Sequence, residues 1–252
     1  MKPENDSLPR QGILMIAGGY GSGKTEVAVN LAIEAAKTIG RVRLADLDLV
    51  NPYFRCREAA ALMEGHGVRL VAPPGIKAFA DLPIILPEIA ALFRPEPDAL
   101  NILDVGGDDV GSRVLASFRS RIGDEPYELW MVINACRPFT NTVKGCLRMQ
   151  AEIETASRLK VTGLIANAHL IGETRGEIIE KGWRLAEEVS AQNGLPVKFV
   201  TVMENVQDQM GDIHISAPIF PLKRFMLPPW LTADTAPPPG EYPRTGPLMA
   251  GK

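Results

Sequence analysis

Residues Gly18 to Thr25 read Gly-Gly-Tyr-Gly-Ser-Gly-Lys-Thr, which fits the pattern G-x-x-x-x-G-K-[ST] at every fixed position. Such a turn constrains the fold because it has meaning only between a buried strand and a helix. Both neighbours suit it. Ile13 to Ala17 is a continuous apolar run, the signature of a strand covered on both faces in a parallel sheet. Thr25 to Lys37 predicts a helix whose alanines make its apolar side broad. The glycines let successive backbone N–H groups converge on one point, to which the helix N-terminus adds partial positive charge. An anion is held there mainly by backbone, and the Lys-Thr pair makes that anion a nucleotide polyphosphate. Lys24 then reaches the β- and γ-phosphates and the Thr25 hydroxyl ligates Mg²⁺. Gly19, Tyr20, Gly21, Ser22, Gly23 and Glu26 complete the expected nucleotide-contacting set.

Downstream, strands and helices alternate. Gly40 is placed to cap the first helix, and Val42 to Asp46 reads as a second strand ending Asp46-Leu47-Asp48. A helix over 55–64, a short strand over 68–71 and a helix from Pro83 to about Phe93 follow. Strands are predicted at 101–105, 129–134, 163–167 and 197–202, separated by helices at 111–121, 143–159 and 174–192. This rhythm predicts an α/β fold, a doubly wound, mostly parallel sheet with helices on both faces, whose ligands bind at the carboxyl ends of the strands. From Pro218 to Pro247 nine prolines exclude a helix or inner strand. The segment to Trp230 is expected to pack as an extended strap. The domain expectation is a flexible N-terminus over 1–11, a nucleotide-binding domain over 12–231 and a Pro-rich, disordered tail over 232–252.

Apolar residues make up 46% of the chain and charged residues 23%, as in ordinary globular proteins, and the net charge of -3 gives no bulk attraction for nucleic acid. No run reaches the about eighteen apolar residues of a membrane span, and Met1 to Gln11 lacks a signal or transit pattern. The expectation is a cytoplasmic protein with no membrane and no nucleic-acid partner. Cys56, Cys136 and Cys146 lack zinc or disulfide spacing, and His66, His169 and His214 are scattered, so both types read as packing or loop residues.

Three carboxylates decide what happens to a bound nucleotide. Asp104 ends an apolar strand and suits a Mg²⁺ ligand, direct or through water. Asp104-Val105-Gly106-Gly107 forms a D-x-x-G turn whose Gly107 N–H would sense the γ-phosphate. Asp46 and Asp48, one residue apart on an extended backbone, share a face, so one can support the metal while the other positions water. Guanine's usual N-K-x-D reader is missing, because Asn167 is followed by Ala168-His169-Leu170, and this favours ATP over GTP.

The phosphate loop, the strand ending Asp-x-Asp, the D-x-x-G turn and a later strand ending in Asn167 together resemble the MinD/ParA class of P-loop ATPases. That class also holds the nitrogenase iron protein and the cobyrinate and dethiobiotin synthetases. The resemblance covers about 13–202. It implies that Asp48 orients the hydrolytic water, Asp46 supports Mg²⁺, Asp104 and Gly107 form switch II, and Asn167 contacts the adenine edge. Its leading implication is a Mg²⁺-dependent ATPase acting as a nucleotide-gated switch on an unknown protein or small-molecule target. The alternative is a small-molecule kinase or synthetase, with Lys77 to Asp81 or Arg137 to Asn141 lining an acceptor pocket. A scaffold that barely hydrolyses is a third reading. Gly19 stands where many members carry a signature lysine that crosses a dimer, so that charge is absent unless another residue supplies it, Lys144, Arg113 and Arg55 being candidates that no motif supports. A nucleotide-dependent homodimer is therefore compatible with the sequence without being required by it. No Fe–S cluster is expected, and the Pro-rich tail replaces the membrane-tethering helix of MinD.

Overall fold

The computed structural model describes residues 8–47, 60–71, 87–94, 96–106, 109–123, 125–208, 210–211 and 213–225. Asp48, Gly107, the loop 50–55, the segment 77–81 and the tail beyond 225 lie outside them.

Eight strands form one sheet: β1 (Gly12–Gly18), β2 (Arg41–Leu47), β3 (Val68–Val71), β4 (Ala99–Val105), β5 (Tyr127–Ile133), β6 (Gly163–Ala166), β7 (Val197–Met203) and β8 (Ile219–Leu222). Their spatial order is β3-β2-β4-β1-β5-β6-β7-β8 and every pairing is parallel. All carboxyl ends therefore lie along one edge of the sheet. The chain leaves β1 toward β2–β4 on one side and later fills β5–β8 on the other, so the end of β1 is the topological switch point at which doubly wound folds bind ligands.

Strand alternation separates the two faces. Leu14, Ile16, Leu44, Leu100 and Ile102 point to the face covered by α1 (Lys24–Ala36), which also packs Met63 of α2 (Ala60–Gly65). Ile13, Met15, Ala45 and Leu103 point to the opposite face. There they meet Ile89 of α3 (Pro87–Ala91), Leu115 of α4 (Asp109–Ile122), Ile153 of α5 (Val143–Ser157) and Val189 of α6 (Gly176–Asn193). Thr142 caps α5 by accepting from Gly145 N at 3.1 Å, and Gly194 at φ 74° closes α6.

Two differences from the sequence reading have plain causes. Gly40 does not cap α1: the helix ends at Ala36 on the right-handed Lys37, and the Thr38 and Ile39 amides return to Ala35 O, so the turn closes before Gly40 is reached. The Pro-rich strap supplies a regular strand, β8, followed by a short helix-spanning crossing at 223–225. Pro221 is compatible with β8 because, among the described residues, that strand is the edge of the sheet and pairs only with β7. Phe220 packs on Phe199 with ring centroids 5.1 Å apart, and Phe199 meets Trp130 edge-on at 5.7 Å. The strap thus covers the outer side of α1, which explains why that helix is buried almost all round. Among the described residues no helix is long and apolar enough to cross a membrane.

Candidate functional site

The phosphate loop runs from the end of β1 into α1 and is closed by Ser22 N donating to Gly19 O at 3.1 Å. Gly23 sits just before the helix at φ 86°, a left-handed conformation that glycine adopts without strain. No side chain caps the helix start, so its first amides are left to a ligand or water. Lys24 and Thr25 open the helix and are buried, 4% and 5% exposed.

Neighbouring strand ends hold the loop by its carbonyls. Arg137, in the turn after β5, donates from Nε to Gly21 O at 2.8 Å, and Asn167, directly after β6, donates from Nδ2 to Ser22 O at 2.7 Å. Because C=O and the following N–H point oppositely across a trans peptide, pinning Ser22 O toward Asn167 turns the Gly23 amide away from it. Asn167 is oriented in turn by the Thr201 hydroxyl, which donates to its Oδ1 at 2.5 Å. Asn134, fully buried at the end of β5, joins the two supporting turns: its Oδ1 accepts from Cys136 N at 2.9 Å and His169 N at 3.4 Å. Asn134 and Thr201 were invisible as site residues in the sequence. Each acts through another side chain and belongs to no local motif.

Strand register brings the two described aspartates together. Asp46 of β2 pairs with Asp104 of β4, and Asp104 pairs with Ile16 of β1, two residues before Gly18. Register neighbours on adjacent parallel strands lie about 4.8 Å apart and point to the same face. That face is the one shared with Leu44 and Ile102, onto which α1 folds from the loop. Both carboxylates are buried, 1% and 0% exposed. Carboxylates joined by a hydroxyl such as that of Thr25 would make an all-oxygen donor set, the chemistry that Mg²⁺ prefers. Among the described residues no group of three or more His, Cys, Asp or Glu could hold a metal by itself.

A cavity of about 530 Å³ opens on the other side of the loop, within the size range of nucleotide and cofactor pockets. Tyr20, Gly21, Gly23, Lys24, Thr25 and Glu26 form one wall, and Arg137, Pro138, Phe139, Asn167 and His169 another. Thr201, Met203, Leu222 and Arg224 close it from β7 and the strap. Tyr20 and Phe139 expose their rings at its lining, 66% and 57%. Ser22 and Gly19 line other surroundings: Ser22 is buried, and a Cβ on Gly19 would lie 3.1 Å from Met149 Cε of α5. The flexible end of Met149 would need to give by only a few tenths of an ångström, so this contact does not by itself exclude a side chain at position 19. Lys144 is exposed at the start of α5. Arg55 and the Arg113 side chain are outside the described residues.

His169, half-buried, packs against the loop, 2.9 Å from where a Cβ on Gly23 would be. Burial, with the charges of Arg137 and Arg224, pushes its pKa down to about 4. The imidazole is neutral at physiological pH. Cys136 and Cys146 are free thiols, each pushed up by burial, Cys146 to about 12.

Two outcomes are expected. Asn167→Ala leaves the buried Ser22 carbonyl and the Thr201 hydroxyl without their partner, so urea unfolding should show a loss of about 1–3 kcal/mol. Unchanged stability with altered base preference would assign Asn167 to the base alone. Because the folded His169 pKa lies below its unfolded value near 6.5, the unfolded chain binds more protons between the two. Stability from this group is therefore lost as pH falls from about 6.5 to about 4, by at most about 3 kcal/mol. His169→Gln should flatten that part of a pH–stability curve, and an unchanged slope would contradict the assignment.

No protein-family model matches the chain, and no curated protein does. Solved structures do. The cell division protein FtsY from Thermotoga maritima aligns with a TM-score of 0.52 at 22% identity, over 79% of this chain and 66% of that one. The signal recognition particle receptor FtsY from Elizabethkingia anophelis, in complex with GDP, aligns at 0.46 and 19% identity over 82% and 61%. The signal recognition particle 54 kDa protein from Aeropyrum pernix, also with GDP, aligns at 0.46 and 20% over 76% and 41%. The chain thus spans less than two thirds of each of these proteins. At this identity the likeness is one of fold: the chain has the α/β fold of P-loop NTPases.

Proposed function

We propose that the chain is a Mg²⁺-dependent ATPase that acts as a nucleotide-gated switch. The observation that carries this reading is the register of β1, β4 and β2, which sets buried Asp104 and Asp46 side by side on the face where Lys24 and Thr25 leave the loop. A glycine-rich turn that only bound phosphate would gain nothing from two buried carboxylates beside it; a metal–phosphate complex would. Thr25, Asp46 and Asp104 are the chain's donors to Mg²⁺, which when bound neutralises charge on the phosphates. Lys24 holds the β- and γ-phosphates, and the amides of 19–26 cradle them. Asp48 orients the attacking water and Gly107 follows the γ-phosphate, as the MinD/ParA resemblance implies.

ATP is favoured over GTP by the cavity. Guanine presents N1–H and an amino group, which a carboxylate reads best. The only carboxylate lining the cavity among the described residues is Glu26, and its Oε1 already accepts the Phe225 amide at 2.7 Å. Asn167 lines the same cavity, and with its Nδ2 bonded to Ser22 O it keeps a second amide hydrogen that an adenine ring nitrogen could accept. A phosphotransferase is the second reading, favoured by Arg137, Pro138 and Phe139, which place an acceptor-sized wall beside the loop.

The test is a competition titration with ATP and GTP, followed by solution mass for Asp48→Ala with and without Mg-ATP. ATP should bind at least tenfold tighter than GTP, and Lys24→Ala should abolish both. Equal affinities would end the assignment to ATP. A monomer-to-dimer shift on Mg-ATP supports the switch. Unchanged mass with ATP bound favours phosphotransfer.

A further inference from the structure

After β8 the chain crosses α1, and the crossing is clamped. Lys223 N donates to Asn30 Oδ1 at 2.9 Å, Asn30 Nδ2 donates back to Lys223 O at 2.9 Å, and Phe225 N donates to Glu26 Oε1 at 2.7 Å. The clamp residues are four apart on α1, on one face of the helix, and Asn30 Nδ2 also donates to Glu26 O at 2.8 Å. Asn30 is 6% exposed in a helix otherwise lined with Val, Leu, Ile and Ala. A buried amide in such a helix is costly unless its donors and acceptor are used, and here both ends are used on one strap residue. Fixing the backbone on both sides of residue 224 fixes where its side chain leaves the chain.

That side chain enters the nucleotide cavity. Arg224 lines it together with Lys24 and Arg137, and its charge acts on His169, which packs against Gly23 of the loop. Glu26, the first residue after Lys24-Thr25, makes the clamp continuous with the phosphate loop. A guanidinium carries five donors and no acceptor, more than one partner uses, so in a site built for phosphate it can also donate to a phosphate oxygen.

We propose that Arg224 is a nucleotide-binding residue supplied by the C-terminal strap, donating to the phosphate chain, and that Glu26 and Asn30 are positioning residues that hold it there. The proposal rests on the nucleotide reading above. It makes the strap a wall of the site as well as a cover for α1.

The test compares binding of ATP and of inorganic tripolyphosphate to the full chain and to Arg224→Ala, with circular dichroism to establish folding. Both ligands should weaken by on the order of tenfold or more in Arg224→Ala, with partial recovery in Arg224→Lys. Glu26→Ala should reproduce much of the loss and add little on the Arg224→Ala background, whereas Glu26→Gln, which retains an acceptor for the Phe225 amide, should recover part of that loss. ATP affinity within twofold of wild type in folded Arg224→Ala would overturn the proposal. So would a loss for ATP with none for tripolyphosphate, which would move the contact to base or ribose. A Glu26→Ala loss fully additive with Arg224→Ala would remove the positioning role. A wild-type chain that binds neither ligand would instead defeat the nucleotide reading itself.

Discussion

The site depends on the contact between the Asn167 amide and the phosphate loop. A Cβ on Gly23 would lie 2.3 Å from Asn167 Nδ2, closer than any side chain can approach, and the backbone there is left-handed. Glycine at 23 is thus required twice, once by conformation and once by the proximity of the group that holds Ser22 O. The loop has little freedom to collapse. Its carbonyls are occupied by Arg137 and Asn167, so what remains facing the cavity is donor and cation. The arrangement is preorganised for an anion before one arrives.

The parallel sheet determines what that anion meets. Because every strand runs the same way, chemistry carried at strand ends is collected along one edge, with metal-type carboxylates from β2 and β4 on one side of β1 and amide, hydroxyl and imidazole groups from β5 to β7 on the other. Asn134 ties the turns after β5 and β6, which carry Arg137 and His169, to each other. The strap joins the same system through Glu26, the residue after Thr25, which accepts the Phe225 amide.

The motif, the strand rhythm and the end-of-strand aspartates were legible in the sequence because each is a local pattern. The pairing of Asp46 with Asp104 is long-range: it depends on β2 lying beside β4 in this register, which no local pattern records. Asn134, Thr201 and Arg224 were not legible. Their roles arise from pairings and crossings between segments as far apart as residues 26 and 225, and no periodicity records such contacts. His169 was read as a packing residue, which its burial supports, but its place against Gly23 follows only from the β6–α6 turn folding over the loop. Gly40 misled because a glycine after a helix suggests a cap, although the helix had already closed on Ala35 O.

The central claim is that Asp46, Asp104 and Thr25 hold a divalent ion only together with nucleotide. Manganese can replace Mg²⁺, and its binding is read by electron paramagnetic resonance with and without ATP, in wild type and in Asp46→Asn and Asp104→Asn. The account predicts tight Mn²⁺ binding to wild type only when ATP is present, weakened in both variants while ATP itself still binds. Mn²⁺ binding that is indifferent to ATP, or that survives unchanged in both variants, would contradict it.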